Sequence, residues 1–203
     1  MMMMKNLILI LMLLMVPTAV FAQRASARVD TVKIDVPGKP KVYTAVNMVS
    51  TKNITQNLLG AKDYSIFFAA LKTTHLTETM SCKGPITLFV PHNQAFDKLK
   101  PGVWDTLLKP AHKFELINLL TAHAVAGTLL IKDLRKQIKA GKGKATLLTL
   151  SGDKINVSAD ENNNIVLTDN NGNNSIVTGY DYKQLNGVIH SIDSVLIPKY
   201  KAI

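Results

Sequence analysis

Cysteine is nearly absent from this chain: Cys82 is the single one in 203 residues. No internal disulfide can form, so the fold rests on its core alone. In an oxidising compartment a lone thiol is either buried or open to pairing with another chain, and burial as a small hydrophobe is the expectation for Cys82. Metal-ligand patterns are missing too. The histidines at 75, 92, 112, 123 and 190 form no His-x-x-x-His or His-Glu-x-x-His pair, which removes the common zinc arrangements. There is no Gly-x-Ser-x-Gly turn to expose a nucleophile and no glycine-rich phosphate loop. Residues 169–174 (DNNGNN) have glycine at the fourth position and no closing glutamate, so they fail the EF-hand calcium pattern. They read as a hairpin turn, as does Asp160-Glu161 before the asparagines at 162–164. No catalytic residue, metal or cofactor is expected. Acidic side chains are also scarce, 14 against 24 Lys and Arg, for a formal net charge of +10.

What is present begins with an export signal. Lys5 supplies a positive start, residues 7–16 are apolar, and Val20-Phe21-Ala22 gives a small-residue cleavage pattern. The apolar run falls short of the roughly 20 residues needed to span a bilayer, and no later run is long enough. Residues 1–22 are therefore read as a signal peptide cleaved after Ala22, with no cysteine following to accept a lipid. Cleavage removes Lys5 and no acidic residue, so the mature chain stays strongly basic. It is expected to be secreted, or held in the periplasm or cell envelope. Asn53, Asn156 and Asn173 begin glycosylation sequons that decide nothing without the source.

Residues 23–47, with Pro37, Gly38 and Pro40, read as an extended leader with at most a short strand at 42–46. The compact part starts near Met48. Over 64–71, Ile66, Phe67, Ala70 and Leu71 share a helical face, and 76–80 suggests a further turn of helix. Residues 86–90 are apolar on both faces, the pattern of a strand covered on both sides. Pro91 ends it, and Asn93 is placed to cap a helix running to Leu99. Pro110 suits the first turn of a helix running to about Ala124, with Phe114, Leu116, Ile117 and Leu120 as its buried stripe and Gly127 at its exit. Beyond it come short β-rich runs at 145–149, 154–157, 165–168, 175–178 and 188–196, with Asn171-Gly172 as a type I′ hairpin signal. A helix-rich first half feeding a β-rich second half indicates one α+β domain, without internal repeats.

Two segments then stand out, 84–99 (GPITLFVPHNQAFDKL) and 186–198 (NGVIHSIDSVLIP). In order and separation they resemble the two signature segments of the fasciclin-like domain family. Residues 119–127 (LLTAHAVAG) resemble a further family segment that ends in glycine. The resemblance covers 48–198, leaving 199–203 as a C-terminal tail. It implies a compact β-sandwich or wedge with several helices packed around it, and a non-enzymatic module for adhesion or binding outside the cell. Thr87, Pro91, Asn93, Phe96, His123, Asn186, Gly187 and His190 are the signature residues carried over. His92 departs from the small hydroxyl residue usual after the proline. Ala122 replaces a tyrosine before His123, and Tyr182 after Asp181 replaces an isoleucine. The integrin contact linked to the latter two regions in animal members is therefore not carried over.

His190 shares a strand face with Val188 and Ile192, so its ring is expected on the apolar side, paired with Asn93 or a backbone carbonyl. Ser191 and Asp193 point the other way, which defeats a triad. The surface with most chemical content is the basic run Lys132, Arg135, Lys136, Lys139, Lys142 and Lys144, opposed nearby only by Asp133. A helix over 131–139 would line several of these cations on one side and draw anionic partners. Asp181 and Tyr182 complete the candidate binding residues. The partner classes are an extracellular or envelope protein or an acidic polysaccharide. Nucleic acid is disfavoured because the run has no aromatic for base stacking. A monomer is expected. The alternative is a carrier that holds a lipophilic small molecule in an apolar groove near Trp104, Leu107 and Leu108, residues equally suited to a core.

Overall fold

The computed structural model describes residues 48–82 and 84–199, the side chain of Cys82 excepted. The expected signal peptide, the expected leader with at most a short strand at 42–46, residues 200–203 and the expected burial of Cys82 lie outside the described residues. The first helix, α1 (Ile54–Gly60), starts from a reciprocal cap. Asn53 Oδ1 accepts from the Gln56 amide at 2.9 Å, and the Asn53 amide donates to Gln56 Oε1 at 3.0 Å. The apolar pattern gives no sign of α1, although Asn-x-x-Gln is close to the usual capping-box spacing. Next come α2 (Ser65–Thr73), which buries Phe67, Ala70 and Leu71, and α3 (Leu76–Cys82). Strand β1 (Ile86–Pro91) is buried at every position, as its two-sided apolar pattern requires. Two short helices, α4 (Asn93–Phe96) and α5 (Val103–Leu107), lead through a 3-10 turn at Pro110–His112 into α6 (Lys113–Ala122).

The second half holds β2 (Ala124–Ala126), α7 (Ile131–Ala140), β3 (Lys144–Leu148), β4 (Lys154–Ala159), β5 (Ile165–Thr168), β6 (Asn174–Gln184) and β7 (Gly187–Ile192). All seven strands form one sheet in the order β2-β1-β7-β6-β5-β4-β3. Among the described strands only β1 and β7 run parallel, which pairs the two signature segments directly, Phe89 beside His190. The sheet curls until its ends meet. Thr149 bridges Val125, and the Leu150 amide donates to Ala124 O at 2.8 Å. The result is an α+β wedge whose sheet is nearly a barrel. Helices α1, α2, α3 and α6 cover one face through Ile54, Phe67, Leu71, Leu119 and Leu120, against Leu88, Val90 and Ile189. Inside the curl lie Phe89, Val157, Leu167 and Ile192, and α7 closes the mouth with Leu134 and Ile138.

Several local expectations are corrected. Asn93 does not cap its own helix, since His92 occupies that position. Its Oδ1 accepts from the Ile66 amide at 3.1 Å and its Nδ2 donates to Lys62 O and Ser65 Oγ, both at 3.0 Å. It therefore caps α2, whose own N-terminal residue Tyr64 offers no side-chain cap. The helix it begins ends at Phe96 rather than Leu99. Helix α6 stops at Ala122, because Ala124–Ala126 leaves it to pair with β1. Its buried stripe is Leu116, Leu119 and Leu120, while Phe114 is 81% exposed. At 100° per residue, position 114 lies roughly 160° from 116 and 140° from 119, on the far side of the helix. Strand β6 runs well past Thr178, to Gln184, through irregular pairing that leaves Asp181 at φ 59°.

Asn171-Gly172 is not a type I′ turn, since Asn171 lacks a positive φ while Gly172 has φ 83°. The three hairpins of the β3–β6 meander share one five-residue loop instead. In loops 149–153, 160–164 and 169–173 the fourth residue (Gly152, Asn163, Gly172) is left-handed and donates its amide to the carbonyl of the first. This is the hairpin built on a type I turn followed by a left-handed residue. Asp160 and Asp169 each accept two loop amides on one carboxylate oxygen, so their charges serve the turns.

Gly187 meets the tightest constraint. Its φ is 154°, and a Cβ there would lie 1.9 Å from Ile86 O. Gly187→Ala is expected to cost about 3 kcal/mol or more. Gly60→Ala, at a site with open space, should change stability by no more than about 1 kcal/mol. Urea unfolding of the two variants checks this.

Candidate functional site

Two signature residues, Thr87 and His190, converge on the connection that leads from β2 into α7. Thr87 on β1 is fully buried; its hydroxyl donates to Gly127 O at 2.7 Å and accepts from the Leu129 amide at 2.8 Å. His190 on β7 is also fully buried, and its Nε2–H donates to Leu129 O at 2.8 Å. His190 Nδ1 accepts from the Asp181 amide at 3.2 Å, and the ring stacks on Phe89 with centroids 5.4 Å apart. Its partners are thus the carbonyl of Leu129 and the irregular stretch of β6, not Asn93. Asp181 Oδ1 in turn accepts from the Ile131 amide at 2.8 Å, at the first turn of α7. Asp133 Oδ2 accepts from Leu130 at 3.0 Å. Two carboxylates therefore serve the amides at the positive end of α7, where both hydrogen bonding and the helix dipole favour them.

The other signature residues tie helices to the sheet. His123 Nδ1–H donates to Leu119 O at 2.8 Å, and its Nε2 accepts from the Leu196 amide at 3.1 Å. Asn186 accepts from the Ile54 amide across 132 residues of sequence and donates to Met80 O at 2.6 Å. Pro91 closes β1 opposite Ile192. Phe96 packs on Trp104 with centroids 4.5 Å apart. His92, a departure from the family pattern, is buried as well; its Nε2 meets Thr178 Oγ1 at 2.9 Å and its ring stacks on Tyr64. Strand alternation locates His190, whereas no local signal marks the partners of His92, Thr87 or Asp181. Burial pushes His92 and His123 down to about 4 and lowers His190 too. All three rings are neutral at ordinary pH.

With its start pinned and Leu134 and Ile138 buried, α7 has one orientation. Lys132, Lys136 and Lys139 are exposed, and Lys142 and Lys144 continue the exposed basic surface past its end. Arg135 is half-buried and its guanidinium donates to Asn163 O at 3.2 Å. Lys132 and Lys139 are about 10 Å apart along the axis. Among the described residues no ion pair involves these cations. Lys132, Lys136 and Lys139 thus share the exposed face of α7. Asp181 and Tyr182 are half-buried and engaged internally, Asp181 on α7 and the Tyr182 hydroxyl on Ser191. Among the described residues no group of His, Cys, Asp or Glu could hold a metal ion.

A separate groove of about 1090 Å³ lies between α5, the Pro110–His112 turn, α6 and the β3–β4 loop. Leu107 and Phe114 line it together with Thr106, Asn118, Glu115 and Asp153. Of the three residues in the lipophilic-carrier reading, only Leu107 lines this groove. Trp104 packs on Phe96, and Leu108 is exposed.

The sequence model of the Fasciclin domain matches residues 62–198. The chain belongs to the fasciclin domain family. This fasciclin-domain chain is similar to protein sll1483 of Synechocystis, 30% identical over 79% of this chain and 81% of that one. It is 35% identical to rabbit transforming growth factor-beta-induced protein ig-h3 over 70% of this chain, but spans only 18% of that relative. Among solved structures it is similar to a FAS1 domain pair from the insect cell adhesion molecule Fasciclin I. The TM-score there is 0.63 at 21% identity, covering 75% of this chain and 52% of the pair. Fasciclin domains occur in cell adhesion and extracellular matrix proteins. Among the described residues no helix is long and apolar enough to cross a membrane.

The buried histidines set a pH dependence. An unfolded histidine takes its proton near pH 6.5, whereas folded His123 does so near 4. Below 6.5 the unfolded state binds more protons, so stability falls as pH drops from about 6.5 toward 4. His123 alone contributes about 3 kcal/mol of that fall. Proton NMR should show its ring neutral at pH 5, and denaturant unfolding should give a midpoint that decreases over the same window. A ring that titrates near 6.5 in the folded protein would refute the assignment.

Proposed function

We propose that this fasciclin-domain protein is an exported, non-catalytic binding module that recognises an anionic polymer outside the cell membrane. The recognising surface is the outer face of α7, with Lys132, Lys136 and Lys139, continued by Lys142 and Lys144. Acidic polysaccharide is the first partner class and an acidic envelope or matrix protein the second. The observation that carries this reading is a row of cations on a helix that cannot rotate, with no carboxylate paired to them among the described residues. A fixed array of like charge focuses potential and attracts a polyanion, with strong sensitivity to salt. The occurrence of fasciclin domains in adhesion proteins and the signal-peptide pattern at 1–22 support a role outside the cytoplasm. A monomer suffices for this mode of binding. A wholly apolar cargo is less well served, because polar side chains are interspersed along the groove beside Leu107.

The test is binding of the chain, freed of its signal peptide, to an array of acidic and neutral polysaccharides at low and high salt. Binding to acidic polymers is expected at low salt and should weaken steeply at high salt. A lysine at an anionic surface contributes about 1 kcal/mol, so Lys136→Glu with Lys139→Glu should weaken low-salt binding about tenfold or more. Unchanged binding by the double variant would remove α7 from the function.

A further inference from the structure

The groove beside α6 has a chemistry unlike that of the basic helix, and it points to a different ligand. Phe114 lines the groove and is 81% exposed, on the face of α6 turned away from the core. Asn118, one turn further along the same helix, is half-buried and lines the groove. Neither its amide nor the half-buried Thr106 hydroxyl opposite hydrogen-bonds to a described residue. Glu115 Oε1 meets His112 Nδ1 at 3.2 Å, which leaves its second oxygen available. Asp153 accepts from Ser151 and Asn170 at 3.0 and 3.1 Å, so it is held in place while keeping spare acceptor capacity.

Three ligand classes can be weighed against this lining. A polyanion gains little, because Glu115 and Asp153 face it and Lys199 is the one lysine among the described lining residues. A wholly apolar ligand would desolvate the Asn118 amide and the Thr106 hydroxyl without replacing their hydrogen bonds to water, which opposes binding. A sugar ring suits both parts of the site. Its C–H face is apolar and flat enough to lie on an aromatic ring, and its hydroxyls donate and accept at once. The amide, hydroxyl and carboxylates supply matching partners, and an open groove admits a chain rather than a single ring. Its volume of about 1090 Å³ lies just above the roughly 300–1,000 Å³ typical of ligand sites.

We propose that the groove between α5, α6 and the β3–β4 loop is a binding site for a neutral oligosaccharide, which stacks on Phe114 and hydrogen-bonds to Asn118, Thr106 and the Glu115 and Asp153 carboxylates. The site is separate from the α7 surface and does not depend on it.

The experiment is a titration of the ¹⁵N-labelled chain, freed of its signal peptide, with cellohexaose, maltohexaose, laminarihexaose and N-acetylchitohexaose in turn, read by amide shifts. At least one should shift amides of 101–118 and 151–153, with an affinity unchanged by added salt. Phe114→Ala removes an exposed ring, so the fold should stand, as its unshifted amides elsewhere will show. That variant and Asn118→Ala should each weaken binding about tenfold. The Lys136→Glu, Lys139→Glu double variant should bind the saccharide as the parent does, which separates this site from the polyanion surface. Absence of shifts with all of these sugars, shifts confined to other regions, or full affinity in Phe114→Ala would overturn the proposal.

Discussion

The direction of α7, and with it the basic surface of the molecule, depends on how residues 127–131 are held. That short connection leaves a three-residue edge strand and must deliver a helix across the mouth of a curled sheet. Thr87 takes its first carbonyl and a later amide, His190 takes the Leu129 carbonyl, and Asp181 takes the Ile131 amide. The three side chains come from β1, β7 and β6, strands adjacent in the sheet. Each contact is buried or half-buried, where an unmade hydrogen bond costs about 1–3 kcal/mol. The connection therefore has one good arrangement, and α7 inherits its direction from it.

The same device recurs at the other seams. Asn186 joins α1 and α3 to the start of β7, Asn93 caps α2 from β1's exit, and His123 links α6 to the segment after β7. These are polar ties between elements far apart in the chain, in a fold that has no disulfide to call on. They are well suited to the task because apolar packing is non-directional, whereas an amide or imidazole accepts only a narrow range of geometry. Burial in turn keeps the three histidines neutral, so each can donate at one nitrogen and accept at the other.

A rigid scaffold of this kind frees its outside for variation. The basic surface lies on a helix whose inner face is committed to Leu134 and Ile138 and whose outer face carries Lys132, Lys136 and Lys139. The groove lies elsewhere, beside the outward face of α6, where Phe114 is exposed. Fasciclin domains occur in adhesion proteins, and the two faces are compatible with recognition of different polymers by one small domain.

Much of this was legible in the residues. The helix-rich half and the β-rich half, the two-sided burial of β1, the inward face of His190 and the cation row on α7 all follow from periodicity. The signature segments indicated the family. Local sequence settles such features because they depend on side-chain spacing along one element. The turn composition placed the hairpins, but their loop type needed the backbone, since the same Asn-Gly pair fits more than one hairpin. Tertiary structure decided the rest. Asn93 is a capping residue, yet the helix it caps begins 28 residues earlier. Phe114 reads as core until the phase of α6 turns it to solvent. Asp181 looks like a surface acid until irregular pairing in β6 aims it at α7. In each case the residue's chemistry was visible in the sequence, but its partner was set by topology, which brings together groups that no local spacing connects.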